Sequence, residues 1–135
     1  MIPIYQHTYS WTVRQCEQLW NDIVNVTIDD KIQGRFIGSI VYVQAGIYRS
    51  STVSQLVVID GQQRLTTLSL LLKALAKALA ELKIEGSTNN RKISNYYLLN
   101  NEEEEEDLRH KLILTRSDRD TLINLIEDHE IDPER

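Results

Sequence analysis

The stretch VIDGQQRLTT, residues 58–67, decides how the fold of this chain is interpreted. It places an apolar run, a glycine and the start of a leucine-rich segment in consecutive positions. Short continuous apolar runs are typical of buried strands, and leucines at steps of three and four indicate a helix. The stretch therefore predicts a buried strand over residues 55–59, a tight turn at Gly61 and a helix from Leu65.

A helix that begins in this way offers a binding site for an anion. Its first backbone N–H groups have no partner within the helix, and the aligned peptide dipoles place about half a positive charge there. Gly61 lets a ligand approach the backbone closely, and the planar guanidinium of Arg64 can hold two phosphate oxygens at once. Thr66 and Thr67 add hydroxyl groups. Phosphate is the ligand that this arrangement predicts.

The same residues also fit a purely structural interpretation. Asp60 would then be an ordinary N-cap, Gln63 would complete a capping box three positions later, and Arg64 would lie on the solvent face of the helix. The sequence lacks the full Gly-x-x-x-x-Gly-Lys-Ser/Thr pattern of a P-loop. The residues at this junction leave both interpretations open.

Outward from this junction, the length of 135 residues predicts a single domain. Thr12 and Gln15 are spaced as a capping box, which predicts a first helix that ends near Val26. The β-branched and aromatic run over residues 36–43 predicts a strand that pairs with residues 55–59 in a wide-looped hairpin. The leucine stripe over residues 65–82 predicts a helix that packs in the core.

The flanking segments are less strongly patterned. Residues 1–5 suit an extended sheet edge, and residues 96–99 and 111–114 predict two short strands around a solvated acidic tip at 100–107. Ser117 predicts the start of a final helix. We also expect the core to contain Trp11, Trp20 and Cys16.

Composition excludes several classes of function. Lys and Arg number 15 against 20 for Asp and Glu, which gives a net charge of −5, so the chain is no broadly basic DNA-coating protein. A single cysteine allows no internal disulfide, and no Cys and His cluster has zinc-site spacing. The N-terminus lacks a secretory pattern, and no apolar run approaches the about 20 residues that span a bilayer. We expect a cytoplasmic protein.

Five ordered segments resemble the N-terminal domain of GmrSD-type modification-dependent restriction endonucleases. They are IPIYQ (2–6), YSW (9–11), LWNDI (19–23), FIGSIV (36–41) and the junction at 58–67. Residues 111–114 with 118–122 resemble a later block of the family. The resemblance implies an α+β, ParB- and sulfiredoxin-like fold over residues 1–135, in which helices pack a small mixed sheet.

In this family the DGQQR block is associated with nucleoside triphosphate binding and hydrolysis. The resemblance implies a site for GTP, ATP or UTP with Mg²⁺, built from Asp60, Gly61, Gln62, Gln63, Arg64, Thr66, Thr67, Tyr5 and Gln6. Asp60 would hold Mg²⁺ or orient a water, Gln63 would position that water, and Arg64 would neutralise charge on the transferring phosphoryl group.

Aromatic residues near the N-terminus are further candidate contacts. Tyr9 and Trp11 could stack on a nucleotide or DNA base, although core packing is the rival explanation for both. The family usually has Arg where this chain has His7, which carries less positive charge at neutral pH and is also compatible with an ordinary surface position.

The resemblance implies a nucleotide-regulated domain of a restriction endonuclease that acts in anti-phage defence, with slow hydrolysis as an open possibility. We expect a fragment of a longer protein whose C-terminal nuclease domain lies outside these residues. The histidines His7, His110 and His129 form no ligand pattern, so DNA cleavage by this chain alone is not expected. The alternative is a non-enzymatic ParB-like module that senses modified DNA or docks a partner through Tyr5, Gln6 and Trp11.

Overall fold

Helices and one β-hairpin make up the described part of the computed structural model, which comprises residues 8–44, 56–84, 86, 88–101, 103 and 106–129. In chain order the elements are α1 (Val13–Ile28), β1 (Val41–Gln44), β2 (Leu56–Asp60), α2 (Gln62–Glu81), α3 (Asn90–Ile93), a π-helix (Ser94–Leu98), α4 (Glu106–Arg109) and α5 (Arg116–Glu127). The predicted α+β class is confirmed. The ParB-like topology stays a prediction.

The first helix begins where the sequence predicts. Thr12 is its N-cap, and the Thr12 backbone N–H donates to Oε1 of Gln15 over 2.8 Å. Leu19 is buried, whereas Trp20 is 55% exposed, so the predicted core position of Trp20 is wrong. Adjacent helical residues point about 100° apart, and the buried face of α1 is centred on Leu19. Trp11 and Cys16 are half-buried.

The predicted hairpin is present with shorter strands. β1 and β2 are antiparallel, with Val41 opposite Asp60 and Gln44 opposite Leu56. Residues 36–40 do not join β1, because Gly38 has a φ of +107°, which a regular strand does not accept. The prediction of a buried second strand is wrong, since Ile59 is 54% exposed. The connection at 45–55 lies outside the described residues.

The core lies between α2 and the elements that follow it. It consists of Ala76, Ile93, Leu98, Leu122 and Ile126, with Leu70, Leu72, Leu79, Leu99, Leu112 and Leu114 packed around them. The predicted leucine stripe is only partly buried, because Leu75 is 45% and Leu82 69% exposed. The small side chain of Ala76, 3% exposed, lies at the centre of the contact. Neighbouring elements therefore meet α2 on a face that includes Leu72, Ala76 and Leu79 and leaves Leu75 and Leu82 exposed.

The segment at 96–99, predicted to be a strand, is helical over residues 96–98 instead. The π-helix over Ser94–Leu98 follows α3 directly, and the pairing with the later segment is reduced to one bridge, Leu99 to His110. A π-helix closes a wider turn than an α-helix. This wider turn lets Ile93 and Leu98, which are 1% and 2% exposed, both reach the core.

The last helix starts two residues earlier than predicted, with Thr115 rather than Ser117 as its N-cap. Its C-terminal Asp128 accepts a hydrogen bond of 2.6 Å from Nζ of Lys73 on α2. This hydrogen bond lowers the pKa of the Asp128 carboxyl. No helix within the described ranges is long and apolar enough to cross a membrane. The predicted segment at 1–5 and residues 102, 104 and 105 of the acidic tip lie outside those ranges.

Replacing a buried core residue should destabilise the protein far more than replacing an exposed leucine of the stripe. Ile93→Ala should lower the free energy of unfolding by roughly 2–4 kcal/mol, because it leaves a cavity. Leu82→Ala should lower it by about 0.5 kcal/mol or less, because the side chain is exposed. Urea unfolding measures both. Equal losses would place the leucine stripe in the core and contradict this packing.

Candidate functional site

The turn between β2 and α2 leaves the start of α2 without a side-chain cap among the described residues. Gly61 is the N-cap in a left-handed conformation with φ +93°, and the Asp60 carboxylate accepts from the Gly61 N–H over 2.8 Å. The first helical bond runs from Leu65 N–H to Gly61 O over 3.1 Å. The three preceding N–H groups, of residues 62–64, therefore have no helical acceptor. The alternative with Asp60 as N-cap is wrong, because glycine occupies that position.

Gln63 binds the segment that precedes α1. Its Nε2 donates to Thr8 O over 3.0 Å, and its Oε1 accepts from Ser10 N–H over 2.8 Å. The side chain therefore cannot complete a capping box with Asp60, because both of its polar atoms bind this segment. A water-positioning role for Gln63 would require one of these two bonds to open.

The hydroxyl groups of Thr66 and Thr67 donate hydrogen bonds to backbone carbonyls of α2. Thr66 and Thr67 are 4% and 7% exposed, and each hydroxyl donates to the carbonyl four residues earlier, over 2.9 and 2.8 Å. Since the Thr67 hydroxyl proton is used in this way, Tyr9 O–H donates to Thr67 Oγ1 over 2.8 Å. The hydroxyls of both threonines thus bind protein atoms.

Tyr9 anchors the N-terminal segment from both its backbone and its side chain. Its N–H donates to Oδ2 of Asp118 on α5 over 2.7 Å, and its hydroxyl lies 3.6 Å from Cys16 Sγ. Burial, as the largest cause, raises the pKa of the Tyr9 phenol. The structure places Tyr9 between α1, α2 and α5, while the predicted contacts Tyr5, Gln6 and His7 lie outside the described residues.

Arg64 reaches across to the segment before β1. Its Nη1 donates to Ser39 O over 3.1 Å. The guanidinium lies against Gly38, where a Cβ would come within 2.5 Å of Nε and 2.7 Å of Nη2. Its remaining N–H groups have no acceptor within the described part of the chain. Arg64 is therefore held beside Gly38, and within the described residues only Nη1 of its guanidinium has an acceptor.

Sequence reasoning did not identify Gly38 as part of this site, because it assigned the glycine to a strand. The available signal was a glycine inside a β-branched run, which often marks the close approach of another group. Gly61 shows the same feature, since a Cβ there would lie 3.0 Å from Ser39 O. The segment at 38–40 is thus packed against both Gly61 and Arg64.

The turn alone holds too few ligands for a protein-only metal site. Within the described ranges no group of three or more His, Cys, Asp or Glu side chains is arranged to bind a metal ion. Mg²⁺ in proteins commonly takes one or two carboxylates and completes its shell with phosphate oxygens and waters. The predicted role of Asp60 as a Mg²⁺ ligand therefore depends on a phosphate ligand bound at the same turn.

The match to a known family covers the chain from end to end. The model of the GmrSD restriction endonuclease N-terminal domain matches residues 1–135. The chain belongs to this family. None of the curated proteins compared with it matches. Membership of the GmrSD N-terminal domain family confirms the resemblance seen in the sequence and assigns the chain to restriction and defence.

Gln63→Ala should destabilise the GmrSD N-terminal domain even without a ligand. The change removes two hydrogen bonds to the segment at 8–10, each worth about 1 kcal/mol, so the free energy of unfolding should fall by roughly 1–2 kcal/mol. Hydrogen exchange at residues 8–12 should also accelerate. Gln18→Ala is the matched control, because the Gln18 amide donates to Asp22 at an exposed position. If both variants unfold alike, Gln63 does not hold this segment.

Proposed function

We propose that this GmrSD N-terminal domain binds a nucleoside triphosphate with Mg²⁺ at the first turn of α2 and regulates the endonuclease to which it belongs. One observation carries the proposal. α2 begins at Gly61 with no side-chain cap among the described residues, and the Arg64 guanidinium donates to Ser39 O, an oxygen that also lies against Gly61.

The charges at this turn suit phosphate. α2 is 20 residues long, so its aligned peptide dipoles place partial positive charge at residues 62–64. Backbone N–H groups at a helix start commonly bind phosphate oxygens. The guanidinium of Arg64 adds a full charge and donors that can bind two oxygens. Together these groups favour a polyphosphate over a neutral ligand.

The remaining predicted residues complete the proposal. Asp60 would bind Mg²⁺ together with phosphate oxygens, and Arg64 would stabilise negative charge on the phosphoryl group. Tyr5 and Gln6 would contact the nucleotide. If hydrolysis occurs, Gln63 would exchange one of its bonds to residues 8–10 for a water. GTP, ATP and UTP share the phosphates that this turn would recognise.

Removing the Arg64 guanidinium should weaken nucleotide binding strongly. Hydrogen bonds to charged groups are worth roughly 1.5–3 kcal/mol, so Arg64→Ala should raise the Kd for Mg²⁺-nucleotide by about 10- to 100-fold. Fluorescent GTP, ATP and UTP with Mg²⁺ provide the titration. Arg35→Ala is the control, because the Arg35 guanidinium pairs with Asp22 on α1. Equal affinities for wild type and Arg64→Ala would contradict the proposal.

A second candidate is DNA contact by a non-enzymatic ParB-like module, and a surface far along the chain from the turn favours it. Tyr96 and Tyr97 are 70% and 61% exposed on the π-helix. Beside them lies an open concavity of about 510 Å³, lined by Asn89, Arg91, Lys92, Asn95, Tyr96 and Asn101. Exposed aromatic rings with basic and amide side chains suit unpaired bases and a phosphate backbone. Such a local surface is compatible with a net charge of −5.

The DNA candidate predicts a loss of single-stranded DNA binding on Tyr96→Ala. Base stacking on an aromatic ring is worth roughly 1–3 kcal/mol, so the Kd should rise about 5- to 100-fold at fixed salt. Binding by wild type should weaken steeply as salt increases. Tyr42→Ala, at an exposed tyrosine on β1, is the control. Unchanged DNA affinity in Tyr96→Ala would contradict DNA contact at this surface.

A further inference from the structure

The end of the Arg64 side chain fills the space in which a side chain at position 38 would lie. A Cβ built there would meet Arg64 Nε at 2.5 Å and Nη2 at 2.7 Å, distances at which one group must move. Gly38 therefore contacts the guanidinium directly, because glycine has no side chain to keep the two apart.

The backbone at Gly38 contributes a second constraint. Its φ of +107° is a conformation that residues with a side chain rarely adopt. The next residue, Ser39, presents its carbonyl oxygen to Nη1 of Arg64 over 3.1 Å. The same oxygen lies against Gly61, where a Cβ would be only 3.0 Å away. Two glycines with positive φ thus bring the peptide at 38–39 and the first turn of α2 together.

We propose that Gly38 is a positioning residue for phosphate binding, which acts by holding the Arg64 guanidinium beside the first turn of α2. This inference rests on the proposed nucleotide site. An arginine side chain has many rotamers, and restricting them before the ligand arrives lowers the entropy lost on binding. Gly38 contacts the guanidinium and Ser39 O binds one of its nitrogens. Together they restrict the orientation of the other N–H donors of Arg64.

A methyl group at position 38 should displace the guanidinium rather than the backbone of α2. The atoms that it meets lie at the flexible end of a long side chain, which moves at lower cost than a packed helix. Gly38→Ala should therefore reproduce the binding defect of Arg64→Ala. Because φ at this position also strains any L-residue, the test must separate that strain from the displacement of Arg64.

A double-mutant cycle makes this separation. Wild type, Gly38→Ala, Arg64→Ala and the double variant are titrated with GTP, ATP and UTP in the presence of Mg²⁺, and their melting temperatures are measured. We expect each single change to weaken binding about tenfold or more, and the double variant to bind no more weakly than Arg64→Ala. Gly34→Ala is the matched control, because no atom lies within 4 Å of a Cβ at Gly34.

If the double variant loses affinity by the product of the two single-variant factors, the proposal is overturned, since Gly38 would then act independently of Arg64. If Gly38→Ala fails to fold while the double variant folds, the contact with the guanidinium is supported. If neither folds, position 38 acts through backbone strain and the proposal is wrong.

A nucleotide-free measurement distinguishes failure of this inference from failure of the proposed function. Phenylglyoxal modifies accessible arginines, and mass spectrometry reports the rate at each one, with exposed Arg91 as the internal reference. Gly38→Ala should raise the rate at Arg64 severalfold and leave Arg91 unchanged, whereas an unchanged rate at Arg64 would overturn the positioning role. A raised rate in a domain that binds no nucleotide would support the contact and refute only the nucleotide site.

Discussion

The left-handed conformation of Gly61 is the constraint on which the rest of this site depends. It turns the chain from β2 into α2 within one residue and makes a glycine the N-cap, so the helix starts without a described side-chain cap. Asp60 binds the Gly61 N–H and leaves the N–H groups at 62–64 without a helical acceptor. A residue with a Cβ at position 61 would be strained and would meet Ile40 Cγ1 at 2.9 Å.

Several side chains near the start of α2 bind other segments of the protein. Gln63 holds the chain before α1, Arg64 holds the segment before β1, and Thr67 accepts from Tyr9. The same side chains are the ones that the family resemblance links to the nucleotide. A ligand that draws Gln63 away from its bonds to residues 8–10 would therefore change how firmly the segment before α1 is attached. This coupling gives the proposed regulation a physical route.

Local sequence signals predicted the elements whose cause is local. The Thr12 and Gln15 pair located the start of α1, and the junction at 58–67 located the change from strand to helix, although α2 begins at Gln62. The sequence did not predict the exposure of Trp20 or Leu82, because burial depends on which elements pack together. The π-helix was also missed, since its wider turn answers the need to bury both Ile93 and Leu98. The contact of Gly38 with Arg64 joins residues 26 positions apart and leaves only a weak local signal.

An NMR titration of the ¹⁵N-labelled domain with Mg²⁺-nucleotide tests the central claim most directly. If the first turn of α2 binds phosphate, the largest amide shifts should fall on residues 61–64, with smaller shifts at 38–40 and 8–10 through Arg64 and Gln63. Inorganic triphosphate should reproduce the shifts at 61–64. Shifts confined to residues 89–101, or no shifts at saturating nucleotide, would contradict the account.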